Sequence, residues 1–187
     1  AAMHRGKFLD NLISVISTCG IAVPSFVICT VLMYFLGVHL KILPTYGLTS
    51  WKHYVMPVMA LSFYPMAYIM RLMRSSMLDV LGQDYMRTCK AKGVSQAVSI
   101  FKHALRNAIL PVITYVGPML AYTLTGSFVV EKIFTIPGLG GEFIGSISSR
   151  DYTVIMGTTI FLATLLIVMN VIVDIIYKIV DPRIKLN

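Results

Sequence analysis

From Asn11 to Leu40 the chain carries no Lys, Arg, Asp or Glu. That run exceeds the ~20 predominantly apolar residues a helix needs to cross the hydrocarbon core of a bilayer. Composition agrees: 57% of the residues are hydrophobic and only 13% charged, against about a quarter charged in soluble domains. The chain therefore reads as an integral membrane protein of the all-α class, a polytopic helical bundle. The ten residues before the run are short and basic. They do not make a signal peptide, because the apolar run that follows is far too long for an h-region.

Three further apolar runs follow, giving about four spans at residues 11–37, 54–74, 108–130 and 153–177, the second ending in Arg71 and Arg74 and the fourth holding Asp174. Gly20 and Pro24 are tolerable kink or packing positions in the first. Pro57 and Pro65 predict a bend in the second, whose Arg71 and Arg74 are expected to snorkel to the interface. Tyr46, Trp51 and Tyr54 lie beside it as an interfacial belt. The third run holds Gly117, Pro118 and Gly126 together with Thr114, Thr123, Thr125 and Ser127, small and hydroxylated residues that in a bilayer face other helices or a polar path. Between the third and fourth runs, PGLGG at 137–141 lacks the Lys-Ser/Thr pair of a phosphate loop and reads as a turn. Cys19, Cys29 and Cys89 are odd in number and widely spaced, so they read as small buried hydrophobes.

Four spans alternate in direction, so the charges fix the orientation. Arg5, Lys7, Arg71, Arg74, Arg87, Lys90, Lys92, Lys102, Arg106, Lys178, Arg183 and Lys185 fall on one side; Lys41, Lys52, Lys132 and Arg150 fall on the other. An excess of Lys and Arg marks the cytoplasmic side, which places both termini of this chain and the loop 75–107 in the cytoplasm. A net charge of +8 that follows topology in this way does not point to a nucleic-acid partner.

The loop holds a basic island, DYMRTCKAKGVSQAVSIFKHALRN. A helix from about Asp84 is expected to turn sharply at Gly93, where glycine tolerates backbone angles other residues resist. Ser95 is a plausible N-cap for a second, amphipathic helix. Ala97, Phe101, Ala104, Leu105 and Ala108 form its apolar side and Ser99, Lys102 and Arg106 lie on another. Such a two-helix element either docks a cytoplasmic partner or rests on anionic lipid. The residues leave both open.

RTCKAKG at 87–93 and HALRN at 103–107 resemble the Arg-Thr-Ala-x-Ala-Lys-Gly and His-Ala-Leu-Arg-Asn motifs in the cytoplasmic loop of ABC-importer permeases of the peptide and nickel branch. Cys89 stands where that branch has Ala. VEKIFTIPGLG at 130–140 is similar to an external loop of the same branch. Asn170, Asp174, Tyr177 and DPRIK at 181–185 resemble its C-terminal signature, and RGKFLD at 5–10 is similar to its N-terminal segment. The chain thus resembles the B-type permease subunits of dipeptide and oligopeptide importers in the bacterial inner membrane. Members of that branch begin with two further helices, which these 187 residues do not supply, so the resemblance implies an N-terminally truncated sequence.

The resemblance implies a permease that is not itself an enzyme and binds no cofactor, with ATP and magnesium on two partner ATP-binding subunits. A second permease subunit and an external solute-binding protein complete the implied assembly, surrounded by membrane lipid. It assigns Arg87, Lys90, Ala91 and Gly93 to the ATPase contact, with Lys102 and Arg106 supporting. Thr114, Thr123, Thr125, Ser127 and Asn170 are the candidates for the substrate path, since peptide groups need hydrogen-bond partners on the way through. Asp174 is expected to pair with Lys178 four residues on. A nickel permease of the same branch is the alternative; His4, His39, His53 and His103 all lie outside the span interiors, which leans toward peptide. A non-transporting scaffold is a further alternative. An intramembrane hydrolase is disfavoured, because neither HExxH nor GxSxG occurs.

Overall fold

The computed structural model describes residues 8–124 and 127–180, all of it helix and connecting turns. Ten α-helices follow in order: α1 (Phe8–Ala22), α2 (Ser25–Leu32), α3 (Lys52–Leu81), α4 (Asp84–Ala91), α5 (Gln96–Val98), α6 (Leu105–Ala108), α7 (Leu110–Leu124), α8 (Phe128–Phe134), α9 (Leu139–Ser149) and α10 (Tyr152–Val180). Two π-helical stretches, Met33–His39 and Ser99–Ala104, continue α2 and α5. Among the described residues there is no strand, as the all-α membrane class requires.

Among the described residues, two helices are long and apolar enough to cross a membrane unaided. α3 has 30 residues and α10 has 29, about 45 and 43 Å at 1.5 Å per residue, against a hydrocarbon core of about 30 Å. α3 is helical through both Pro57 and Pro65 and runs on to Leu81, so residues 75–81 extend the span where a loop was expected. The first apolar run is broken: α1 stops at Ala22 and α2 restarts behind Pro24, which sits at φ −61°, ψ 144° as its N-cap. Proline lacks the N–H to continue α1, and it disfavours the helical region for the residue before it. The third run yields α7, whose 15 residues span about 22 Å. Thr125 and Gly126, near the end of that expected span, lie outside the described residues, as do Arg5, Lys7, Arg183, Lys185 and the DPRIK stretch.

The chain divides into two compact units. In the first, formed by the segment up to Ile21 and by Met66–Val116, Val80 of α3 packs against Ala104 and Ala108, with Met73, Met77, Leu81, Tyr85 and Met86 around them. Tyr68 of α3 stacks on Tyr115 of α7, ring centroids 4.3 Å apart. Asp10 in the first turn of α1 is 1% exposed and accepts two hydrogen bonds from Arg74, Nε to Oδ1 at 2.6 Å and Nη2 to Oδ2 at 2.8 Å. Arg74 therefore spends its charge on a carboxylate rather than snorkelling alone to an interface.

In the second unit, Ala22–Pro65 with Gly117 onward, the core is Ile28 and Cys29 of α2, Met56 and Ala60 of α3, and Val130 and Phe134 of α8. Lipid tails are as apolar as these side chains, so their contacts stabilise through close packing and dispersion more than through release of water. Of the three cysteines only Cys29 is buried; Cys19 is exposed and Cys89 intermediate. Tyr46, Trp51 and Tyr54 are all exposed, as side chains at a headgroup level should be.

PGLGG is a helix start instead of a free turn. Gly138 is the N-cap of α9, and Gly140 and Gly141 lie in its first turn. The 9%-exposed Glu131 of α8 accepts a hydrogen bond from the Gly141 N–H at 2.6 Å. A Cβ on Gly138 would fall 2.5 Å from the Glu131 carboxyl carbon, and one on Gly140 2.8 Å from the Phe128 backbone nitrogen. The glycines let α9 approach α8 closely, and the carboxylate meets N–H groups that α9 leaves unpaired.

Candidate coupling element

The basic island forms two helices packed on the end of α3. α4 begins at Asp84 behind Gln83, at ψ 153°, and only Gly82 and Gln83 separate it from α3. Its end is a Schellman turn: the Val94 N–H donates to Cys89 O at 3.1 Å and the Gly93 N–H to Lys90 O at 3.1 Å, with Gly93 at φ +70°. This left-handed position favours glycine. A Cβ there would meet nothing within 4 Å, so backbone angle and not crowding sets the requirement.

The chain then reverses through Ser95, whose hydroxyl accepts a long hydrogen bond, 3.5 Å, from the Val98 N–H at the start of α5. The π-helical stretch Ser99–Ala104 leads without a break into α6, and successive bonds from Ile109 N–H to Leu105 O and from Ile113 N–H to Ile109 O carry the helix on into α7. The wider π turn changes which face is inward. Ile100, Ala104 and Ala108 are buried, and so is Ser99, which was expected on the polar side. Phe101, expected on the apolar side, is 70% exposed, and Ala97 is exposed too. Asn107 Nδ2 donates to Tyr85 Oη at 2.9 Å, tying α6 to α4.

Between the helices lies a cleft of about 510 Å³ lined by Leu81, Met86, Arg87, Lys90, Val94, Gln96, Ser99 and Ile100. Its floor is apolar and one wall carries two cations. Arg87 approaches Asp84 at 3.6 Å, but both are more than four-fifths exposed, so the pair contributes little and leaves the guanidinium available. The structure thus brings Arg87 and Lys90 to one cleft, with Ala91 and Gly93 exposed beside it. Lys102 and Arg106 are exposed but do not line it.

A model of the family described as "binding-protein-dependent transport system inner membrane component" matches residues 1–186. The chain belongs to this family. Among curated relatives of this transport-system membrane component, the dipeptide transport system permease protein DppB of Bacillus subtilis (strain 168) is 52% identical over 187 residues, covering 100% of this chain and 61% of that protein. DppB of Lactococcus lactis subsp. cremoris (strain MG1363) is 45% identical over 186 residues, with the same coverage of each. The glutathione transport system permease protein GsiC of Escherichia coli (strain K12) is 40% identical over 185 residues, covering 99% of this chain and 60% of that protein. The chain thus spans about three fifths of the length of these relatives. Its family is one of transport, not of enzymes.

Three of the substrate-path candidates, Thr114, Thr123 and Ser127, find partners on their own helices. Thr114 Oγ1 donates to Leu110 O at 3.0 Å and Thr123 Oγ1 to Met119 O at 2.8 Å, the i−4 back-bonding open to hydroxyls in helices. The Ser127 hydroxyl accepts from the Val130 N–H as the N-cap of α8. Asn170 is exposed on α10. Asp174 and Lys178 are both exposed, and the ion pairs among the described residues, Arg74 with Asp10 and Arg87 with Asp84, do not include them.

Two contacts of the chain escape sequence reasoning, and a third left a cue. The Asn107–Tyr85 bond joins residues 22 apart and the Asp10–Arg74 pair residues 64 apart, distances at which periodicity carries no signal. The Glu131 cap had a visible cue: a lone carboxylate ten residues ahead of a glycine-rich helix start.

Proposed function

We propose that the chain is part of a permease subunit of an ATP-binding-cassette importer for di- or oligopeptides, and that α4 with the cleft behind it is the surface on which a cytoplasmic ATP-binding subunit docks. The observation that carries this reading is the join: a basic, clefted two-helix element fused at one end to α3 and at the other to α7, with no more than two residues intervening. A patch that merely rests on lipid has no need of such rigid attachment. The relatives named for dipeptide and glutathione transport support peptides as substrate. In this reading the docking residues are Arg87, Lys90, Ala91 and Gly93, with Lys102 and Arg106 on an outer rim; ATP and magnesium stay on the partners. A second permease, two ATP-binding subunits and an external solute-binding protein complete the assembly. Both termini of this chain face the cytoplasm, as the Lys and Arg distribution favours, and the contact of Asp10 with Arg74, in the second half of α3, fits that topology.

The test uses the full-length subunit expressed with its partners. A β-branched residue is a steric outlier at φ +70°, whereas asparagine visits that region. Gly93→Val should abolish ATP-binding-subunit copurification and peptide uptake, and Gly93→Asn should keep both within a few-fold of wild type. Retention of both by Gly93→Val would sink the docking assignment.

A further inference from the structure

We propose that the Asp10–Arg74 pair is the link through which movement of the coupling element reaches α1, which makes both of them positioning residues for transport. The inference rests on the coupling reading above and extends it to a helix that reading leaves unconnected.

The stretch of α3 that holds Arg74 also holds the coupling element. Met73, Met77, Val80 and Leu81 form one stripe at helical spacing and share a cluster with Ala104 and Ala108, against which Tyr85 and Met86 of α4 also pack. Arg74 stands at the edge of that stripe and grips Asp10 through a two-point fork, Nε at 2.6 Å and Nη2 at 2.8 Å. Asp10 is more secluded than Glu131, the other buried carboxylate among the described residues, at 1% against 9% exposed, while the Arg74 side chain is 29% exposed. A displacement of α4 therefore meets α3 through apolar packing and leaves it toward α1 through a directional contact.

Stability alone does not account for such a pair. Desolvating two charges offsets most of their attraction, and well-packed apolar side chains of similar volume often do as well or better. What a bidentate guanidinium–carboxylate contact adds is geometry: it fixes the register and rotation of two helices in a way that slippery apolar packing does not. The position of Asp10 in the first turn of α1, where a carboxylate also suits the helix dipole, pins that helix at its very start.

The experiment uses the full-length subunit with its permease, ATP-binding and solute-binding partners in lipid vesicles. Three variants are compared: Asp10→Leu with Arg74→Leu, Arg74→Lys, and the exchange Asp10→Arg with Arg74→Asp. The double leucine variant should assemble, retain the ATP-binding subunits and hydrolyse ATP at the basal rate. Stimulation of that rate by peptide-loaded binding protein should fall at least fivefold, and uptake per ATP at least tenfold. Arg74→Lys keeps the charge but loses the fork, and should show a milder form of the same uncoupling. Partial recovery of uptake in the exchange variant would support a link made by the pair itself. Wild-type uptake per ATP in the double leucine variant would overturn the proposal, and so would its failure to assemble, since the pair would then be a folding requirement. Failure of wild-type subunits to retain ATP-binding partners is a different result: it removes the coupling reading and this link with it.

Discussion

Gly140 and Gly145 occupy the same helix, α9, and the same substitution should act on them with opposite sign. Replacing an exposed helical glycine by alanine relieves a backbone entropy penalty of about 0.8–1 kcal/mol. At Gly145 a new Cβ meets nothing within 4 Å, so Gly145→Ala should realise most of that gain. At Gly140 the new Cβ would fall 2.8 Å from Phe128 N, 3.1 Å from Phe128 Cα and 3.1 Å from Glu131 Oε2. Two of those atoms are backbone and cannot rotate away. α8 and α9 must part, at an overpacking cost of about 1–3 kcal/mol, and the bond from Gly141 to Glu131, a charged acceptor worth about 1.5–3 kcal/mol, is stretched with them. Net of the propensity gain, Gly140→Ala should destabilise by about 1–3 kcal/mol. With about 2–4 °C per kcal/mol for a chain of this size, the two variants should melt about 4–16 °C apart. The measurement is the midpoint of thermal loss of monodisperse full-length protein in detergent, at one scan rate because such unfolding is commonly irreversible. If Gly140→Ala melts at or above wild type, the close approach of α8 and α9 is not what the glycines are for.

Two further substitutions probe other contacts. Glu131→Gln keeps an acceptor oxygen but removes its charge, and charge-assisted bonds are roughly twice as strong as neutral ones; the variant should lose about 1 kcal/mol, read as a melting midpoint a few degrees lower, and an unchanged midpoint would mean that the carboxylate's charge does nothing for α9. Phe101→Ala should leave the midpoint unchanged, because the ring is 70% exposed, yet reduce retention of ATP-binding subunits about tenfold if the ring is an aromatic anchor at that interface. Unimpaired retention would remove Phe101 from the docking surface.

Local chemistry was legible in the sequence and long-range pairing was not. The start of α4 at Asp84, the turn at Gly93 and the cap at Ser95 each follow from what one residue's backbone or side chain can do, and the structure has all three. The apolar runs likewise announce membrane helices from length alone. A 3.6-residue period does not hold across the second coupling helix, where the stretch Ser99–Ala104 winds as a π-helix, burying Ser99 and turning Phe101 outward. Pro24 was legible as a perturbation but not as a full stop, since a bilayer helix can absorb a proline, as α3 does twice. Arg74 was assigned to an interface because its partner is 64 residues away. PGLGG read as a turn because glycine signals tight backbone without saying whether the tightness serves a bend or a helix pressed against a neighbour.

The short joints of the coupling element bear on how work could pass through it. Gly82 and Gln83 on one side and Ile109 on the other are all that lie between it and long helices, and Ile109 is itself spanned by helical bonds. Such a joint has almost no backlash. Under the proposed docking, a push on α4 would reach α3 and α7 through joints of at most two residues, and a twist would arrive as a twist: one residue added at Ile109 would turn everything beyond it by about 100°. The element behaves less like a tether between two rods than like the crank where they meet.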